Sequence, residues 1–212
     1  MNDLWYYASL ILNNMSHVGA LSTPKRYITA LNTDGKSIFN TSIADTVVMY
    51  GESSPDPSKK AAGSDISPTA SSSSCISYTT GPPPISLADN ADVSAYAAHQ
   101  STNATLPLPF TFPAGTTTHY SEIGPGLVTP MHRTVSIDQI VVLEGALELI
   151  LDGGERRVLN RGDMVVQRGT MHAWRNPSGT EWVRFFAVVQ PIVPIQMNGM
   201  ELGVEYHAIP DL

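Results

Sequence analysis

The sequence predicts an all-β protein, a single jelly-roll barrel behind an N-terminal extension, and three observations carry that expectation. From Leu106 onward the chain breaks into short runs of β-forming residues separated by glycine and proline, the pattern of antiparallel strands. Tight-turn signals fall close together there, Glu144-Gly145 between two apolar runs and Asp152-Gly153-Gly154 ahead of a strand that starts at Arg156. The runs are short but rich in apolar side chains, which suits a closed barrel whose interior holds a small ligand, and no internal repeat calls for a second barrel. The expected organisation is an extension over 1–50, a flexible Ser/Pro-rich linker over 51–80 and a barrel domain over 81–212.

Taken in order, Leu4 to Met15 reads as a short helix. The stretch Arg26 to Phe39 reads as a β-hairpin, because alternating β-formers flank Asp34-Gly35, a dipeptide that accepts positive φ. Residues 51 to 74, with Ser53-Ser54-Pro55 and the run Ser71 to Ser74, lack the apolar content to fold alone and are assigned to a mobile loop. Gly81-Pro82-Pro83-Pro84 is extended, and Leu87 to Ala98 forms a short helix that could serve as a flap at the barrel mouth. Strands are then expected at Ile137 to Leu143, Ala146 to Leu151, Asp163 to Gln167, His172 to Arg175 and Trp182 to Gln190. Exposed sheet edges in so small a barrel predict a homodimer.

Composition narrows the partners. At 212 residues the chain has room for one domain and an appendage. A net charge of −7 with no cluster of lysine or arginine excludes the basic patches that nucleic acids and acidic membranes attract, which leaves a small-molecule substrate. Cys75 is the single cysteine, so there is no intrachain disulfide, and a reducing compartment follows. Trp5 to Leu12 is apolar but too short to span a bilayer and lacks a secretory leader pattern, so a cytoplasmic protein with no membrane partner is expected. No nucleophile elbow, phosphate-binding glycine loop or dinucleotide fingerprint is present.

Two segments carry chemistry. The first runs from Gly126 through His132, Thr134 and Asp138 to Gly145; the second runs from Gly162 through Gln167, Arg168, Gly169, His172 and Trp174 to Asn176. Side chains alternate along a strand, so an inward His132 takes Thr134 with it and leaves Arg133 and Val135 outside, and an inward His172 takes Trp174. Together these segments resemble the paired motifs of the cupin superfamily, G-x5-H-x-H-x3,4-E-x6-G and G-x5-P-x-G-x2-H-x3-N. Thr134 stands in place of the second histidine, Asp138 in place of the glutamate and Gln167 in place of the proline, with the gap before Gln167 one residue short. The likeness covers about residues 105 to 195, and its wording is similar to small single-domain cupins of fungal polyketide and terpenoid pathways.

The resemblance implies that His132, Asp138 and His172 are the catalytic set of a cavity for a polyketide-like substrate, and the strand registers add Thr134 and Trp174 to its wall; Arg168, read in the loop just ahead of His172, could hold a substrate carboxylate or phenolate through its planar donor fork, and His119 is a further substrate contact. In the leading reading no cofactor is needed. The imidazoles and carboxylate move protons, in dehydration, decarboxylation or cyclisation. In the second reading His132, Asp138 and His172 hold one divalent transition metal, iron, zinc, nickel or manganese, for oxidoreductase chemistry. In the third the barrel only binds a small molecule. One of the two strand parities would aim His119 inward, while His17, His99 and His207 have no partner at useful spacing.

Overall fold

The computed structural model describes residues 21–53, 71–102 and 115–207. The helix expected over Leu4 to Met15 and segment 54–70 lie outside them. The first described elements are β1 (Ile28–Leu31) and β2 (Ser37–Asn40), which form the expected hairpin, with Gly35 at φ +74° and the Asn32 side chain accepting the amides of Asp34 and Lys36. It is a two-stranded sheet of its own and does not extend the barrel.

The barrel is two facing sheets. One has six strands in the order β10 (Met164–Arg168), β7 (Ser136–Glu144), β12 (Val183–Pro191), β5 (Thr116–Ile123), β4 (Ser71–Thr80), β3 (Tyr50–Ser53). The other has five, β15 (Glu205–His207), β6 (Met131–Arg133), β11 (His172–Arg175), β8 (Ala146–Leu151), β9 (Arg156–Asn160). A short hairpin, β13 (Ile195–Met197) with β14 (Met200–Leu202), completes the strands. Between the sheets Ile140, Val142, Phe185 and Val189 of the first meet Leu147, Leu149 and Trp174 of the second in one core, and at about 25 cal/mol per Å² this contact supplies much of the drive to fold. Gly145 makes the crossing from β7 to β8 at φ +74°, where a Cβ would stand 2.6 Å from the Trp182 carbonyl oxygen, so no other residue fits without displacing backbone.

The linker assignment is corrected at both its ends. Tyr50–Ser53 and Ser71–Thr80 are strands, and β4 pairs along its length with β5. The serine run gave no apolar signal because its buried hydroxyls are satisfied across the sheet: Ser73 Oγ donates to Glu122 Oε2 at 3.0 Å, and Ser77 Oγ and Thr118 Oγ1 lie 2.8 Å apart. The barrel sheet therefore begins well before residue 81. The expected helix is α1 (Ala91–Thr102), shifted by four residues and preceded by a single 3-10 turn. It packs on β4 through the fully buried Tyr96, whose ring lies 4.8 Å from that of Tyr78 and whose hydroxyl accepts from Arg26 Nη1 at 2.7 Å.

Candidate active site

The five-stranded sheet sets two imidazoles side by side. On β6 His132 stands directly opposite His172 on β11 and, on its other side, opposite Tyr206 on β15. Directly opposed residues share a face, and the ring contacts agree: His132 and His172 have centroids 4.2 Å apart, and Tyr206 lies parallel to His132 at 5.9 Å. Trp174, two residues along, meets His172 edge-on at 5.3 Å and continues to Phe185 of the other sheet at 5.8 Å. It is a core aromatic that walls the inner side of the imidazole pair.

Both tautomers are fixed by the backbone. His132 Nδ1 lies 2.8 Å from the Pro130 carbonyl and His172 Nδ1 lies 2.9 Å from the Thr170 carbonyl. A carbonyl only accepts, so each Nδ1 carries hydrogen and each neutral ring presents Nε2 as an acceptor. Burial holds the His132 pKa below the ordinary imidazole value; burial and then the neighbouring His132 push His172 down to about 3. The pair is neutral at physiological pH.

Asp138 belongs to the facing sheet. It lies on β7 in the inward series Ser136, Asp138, Ile140, Val142, and burial raises its carboxyl to about 6 against a hydrogen bond from Ser136. Ser136 Oγ is also 2.7 Å from Thr134 Oγ1, so the threonine connects with Asp138 through a serine, not with an imidazole. Gln167 of β10, opposite Asp138, ties the two sheets' polar groups together at one end of the barrel. Its amide donates to the Thr170 hydroxyl and, at 3.2 Å, to the same Thr170 carbonyl that accepts from His172. Gly169, at φ +59°, makes the turn that delivers His172.

Two expected site residues sit elsewhere. Arg168 ends β10 one residue after the inward Gln167 and is not in a loop, so alternation turns it outward, away from the imidazoles, and it is exposed. His119 points inward, the one of its two possible parities that faces the interior, opposite Ala187; it is buried, lies 3.2 Å from Ser121 Oγ, and has its pKa pushed down to about 4 by burial. It is on β5, two strands from Asp138. The outer face of the five-stranded sheet has a different character. There Arg133 pairs with Glu205, Arg175 with Glu148 at 3.0 Å and His207 with Glu205 at 2.6 Å. A hollow of 610 Å³ opens on that face over Met131, Ile150 and Met171, with His207 in its lining but neither His132 nor His172.

The model of the family described as "Cupin domain" matches residues 119–189, a span that takes in His119, His132, Asp138 and His172. The "Phomopsin biosynthesis cluster protein C'" of Diaporthe leptostromiformis is 39% identical over 183 residues, 86% of either chain. The chain belongs to the cupin family. Its other similar relatives include the "Oryzines biosynthesis cluster protein J" of Aspergillus oryzae, 42% identical over 128 residues (60% of this cupin, 69% of that protein), and the "Cupin-domain-containing oxidoreductase fogC" of Aspergillus ruber, 30% identical over 188 residues (87% and 81%). Among solved structures the polyketide cyclase RemF of Streptomyces resistomycificus overlaps 45% of this cupin and 63% of its own chain, with a TM-score of 0.35 at 24% identity.

Within this cupin the donor set for a resident metal falls short. The two Nε2 atoms, each backed by an Nδ1–H to a carbonyl, are suitable ligands. Among the described residues, however, no three histidine, cysteine, aspartate or glutamate side chains gather closely enough to hold an ion. The expected triad of His132, Asp138 and His172 is divided between two facing sheets, β6 and β11 carrying the imidazoles and β7 the carboxyl, while Thr134 stands at the second-histidine position and, like Asp138, is hydrogen-bonded to Ser136. No chemical step is assigned to a metal on this arrangement. Sequence reasoning also passed over Ser136, Gln167 and Tyr206. Gln167 was noticed as a departure from the motif, and inward parity with Asp138 could have picked out Ser136. Tyr206 reaches His132 through a strand pairing about 70 residues apart, for which a single sequence carries no signal. No helix among the described residues is long and apolar enough to cross a membrane.

Proposed function

We propose that this cupin is a tailoring enzyme of fungal specialised metabolism that moves protons on a polyketide-like small molecule within its barrel, without net oxidation. The relatives named for phomopsin and oryzines biosynthesis support the setting. The observation that carries the chemistry is a pair of opposed shifts: burial depresses the imidazoles, which accept through Nε2, while a carboxyl on the facing sheet keeps its proton up to about pH 6. Acid and base whose environments push their pKa values in opposite directions are the mark of paired proton transfer.

In the dehydration form, His132 Nε2 takes a proton from the carbon next to a substrate carbonyl and a carbon–carbon double bond forms. The C–O bond of the β-hydroxyl breaks, and the Asp138 carboxyl protonates the departing oxygen to give water. Loss of the His132 proton to water and uptake of one from water by the Asp138 carboxylate reset the site. His172, the more depressed imidazole, accepts a hydrogen bond from the substrate and orients it, and Trp174 and Tyr206 bracket a flat ring. Decarboxylation and ring closure use the same groups.

The test is to incubate the purified protein, beside its His132→Ala variant, with an extract of the producing pathway and compare masses. Loss of water or carbon dioxide, or an isomer of unchanged mass, is expected from the native protein alone. Gain of oxygen or loss of two hydrogens would favour the second reading, oxidation, to which the name of the Aspergillus ruber relative points.

A further inference from the structure

Two buried polar atoms lie on the inner face of the six-stranded sheet, one on the Asp138 carboxyl already assigned to proton transfer and the other, Thr117 Oγ1, outside that set. Thr117 is 0% exposed and Asp138 7%, and neither Thr117 Oγ1 nor Asp138 Oδ1 has a hydrogen-bond partner among the described residues. They occupy one rung. Asp138 of β7 is opposite Val189 of β12, and Val189 is opposite Thr117 of β5. The two polar side chains therefore rise from strands on either side of an apolar one, with Cα atoms two strand spacings or about 9.6 Å apart. A valine would fill the place of Thr117 with no orphaned hydroxyl, and buried hydroxyls and carboxyls seldom go unpaired.

What lies around this rung defines what it can hold. Its floor is Val189, its next rung carries Ile140, Ala187 and His119, and the facing sheet carries His132 and His172 on its inner face. The guanidinium groups of Arg133, Arg168, Arg175 and Arg184 all belong to outward positions. A charged carboxylate or phosphate would thus find no countercharge here among the described side chains, whereas hydroxyl and carbonyl groups find acceptors and donors.

Resting on the reading of the barrel interior as the substrate site, we propose that Thr117 and Asp138 form a two-point cradle for an uncharged, flat hydroxy-carbonyl or polyhydroxy compound whose polar groups stand at opposite ends of an apolar ring system. Thr117 Oγ1 binds the end remote from the proton-transfer chemistry and sets the length of the ligand. Asp138 binds the reacting end.

The experiment is calorimetric titration of the full chain with three probes: a naphthalenediol bearing one hydroxyl on each ring, the corresponding naphthol with a single hydroxyl, and the hydroxynaphthoate in which one hydroxyl is replaced by carboxylate. Wild type, Thr117→Val and His132→Ala are compared, with thermal melting of each. The diol is expected to bind most tightly and the carboxylate most weakly. Thr117→Val is expected to weaken the diol about tenfold, the equivalent of one hydrogen bond, leave the naphthol unchanged and melt no lower than wild type. If the diol binds, depends on His132 and ignores Thr117→Val, the cradle is refuted while the interior site stands. If binding is absent, or ignores both substitutions, the interior reading fails and the cradle with it. A lowered melting temperature for Thr117→Val with unchanged binding would make the hydroxyl a structural group and also overturn the proposal.

Discussion

Glu122 and Asp138 are both buried carboxylates of the six-stranded sheet, and the two faces of that sheet treat them in opposite ways. On the outer face Glu122, 0% exposed, accepts from Arg184 Nε at 2.7 Å and again from its Nη2, and from Ser73 at 3.0 Å. Arg184 also reaches Glu144 at 2.7 Å and the Ser22 carbonyl at 2.6 Å, which ties the extension to the barrel. On the inner face Asp138 has only Ser136 on one oxygen and nothing described on the other. The outer carboxylate has every need met by the fold; the inner one retains an unmet need that a ligand can fill. Buried polar groups thus divide by how completely their neighbours satisfy them.

Removing one partner of the outer network should have the largest effect. Arg184→Met leaves Glu122 buried without its cation and is expected to cost about 3–5 kcal/mol of stability in denaturant titrations, and replacing Glu122 with leucine in the same chain should restore much of it. If Arg184→Met proves harmless, the contrast between the faces is void.

The inner carboxyl should instead show itself through pH. The folded state holds the Asp138 proton to about pH 6 whereas the ordinary value is 3.8, so its contribution is full below pH 3.8 and is lost as pH rises to about 6, a change on the order of 3 kcal/mol. His172, pushed down to about 3, and His119, pushed down to about 4, act with the other sign, and their contribution is full above 6.5 and lost on acidification. Melting temperature against pH for Asp138→Asn should lack the loss between pH 4 and 6 and keep the acid limb. A curve identical to wild type would show that Asp138 is already ionised.

Gln167→Leu should lower stability by about 1 kcal/mol and, more tellingly, loosen the Thr170 turn, read as a mixed tautomer in the ring-nitrogen shifts of His172. At the small end, Arg168→Ala should change stability by less than about 0.5 kcal/mol and leave diol binding untouched, since the residue faces away from the interior.

Much of this was legible in the sequence because it is local. Glycines and alternation marked the strand that carries His172, the Asp34-Gly35 turn marked the hairpin, and, once His132 is taken as inward, parity separates Arg133 from it. Ser71–Thr80 was illegible because a strand that satisfies itself with hydroxyls, Ser73 to Glu122 and Ser77 to Thr118, has the composition of a linker. Arg168 was misplaced by reading it as loop when the strand continues through it. Asp138 was correctly turned inward, yet its separation from the imidazoles depends on which sheet each strand joins, and spacing along the chain does not contain that.

Cys75 lies in the middle of the strand that composition concealed, packed with Val47 and Met49, and burial pushes its thiol up to about 12. A thiol that is both covered and protonated is inert toward alkylating reagents. Its labelling rate is therefore a clock for the peeling of β4 from the barrel, built into the native chain with no other sulfhydryl to confuse the signal.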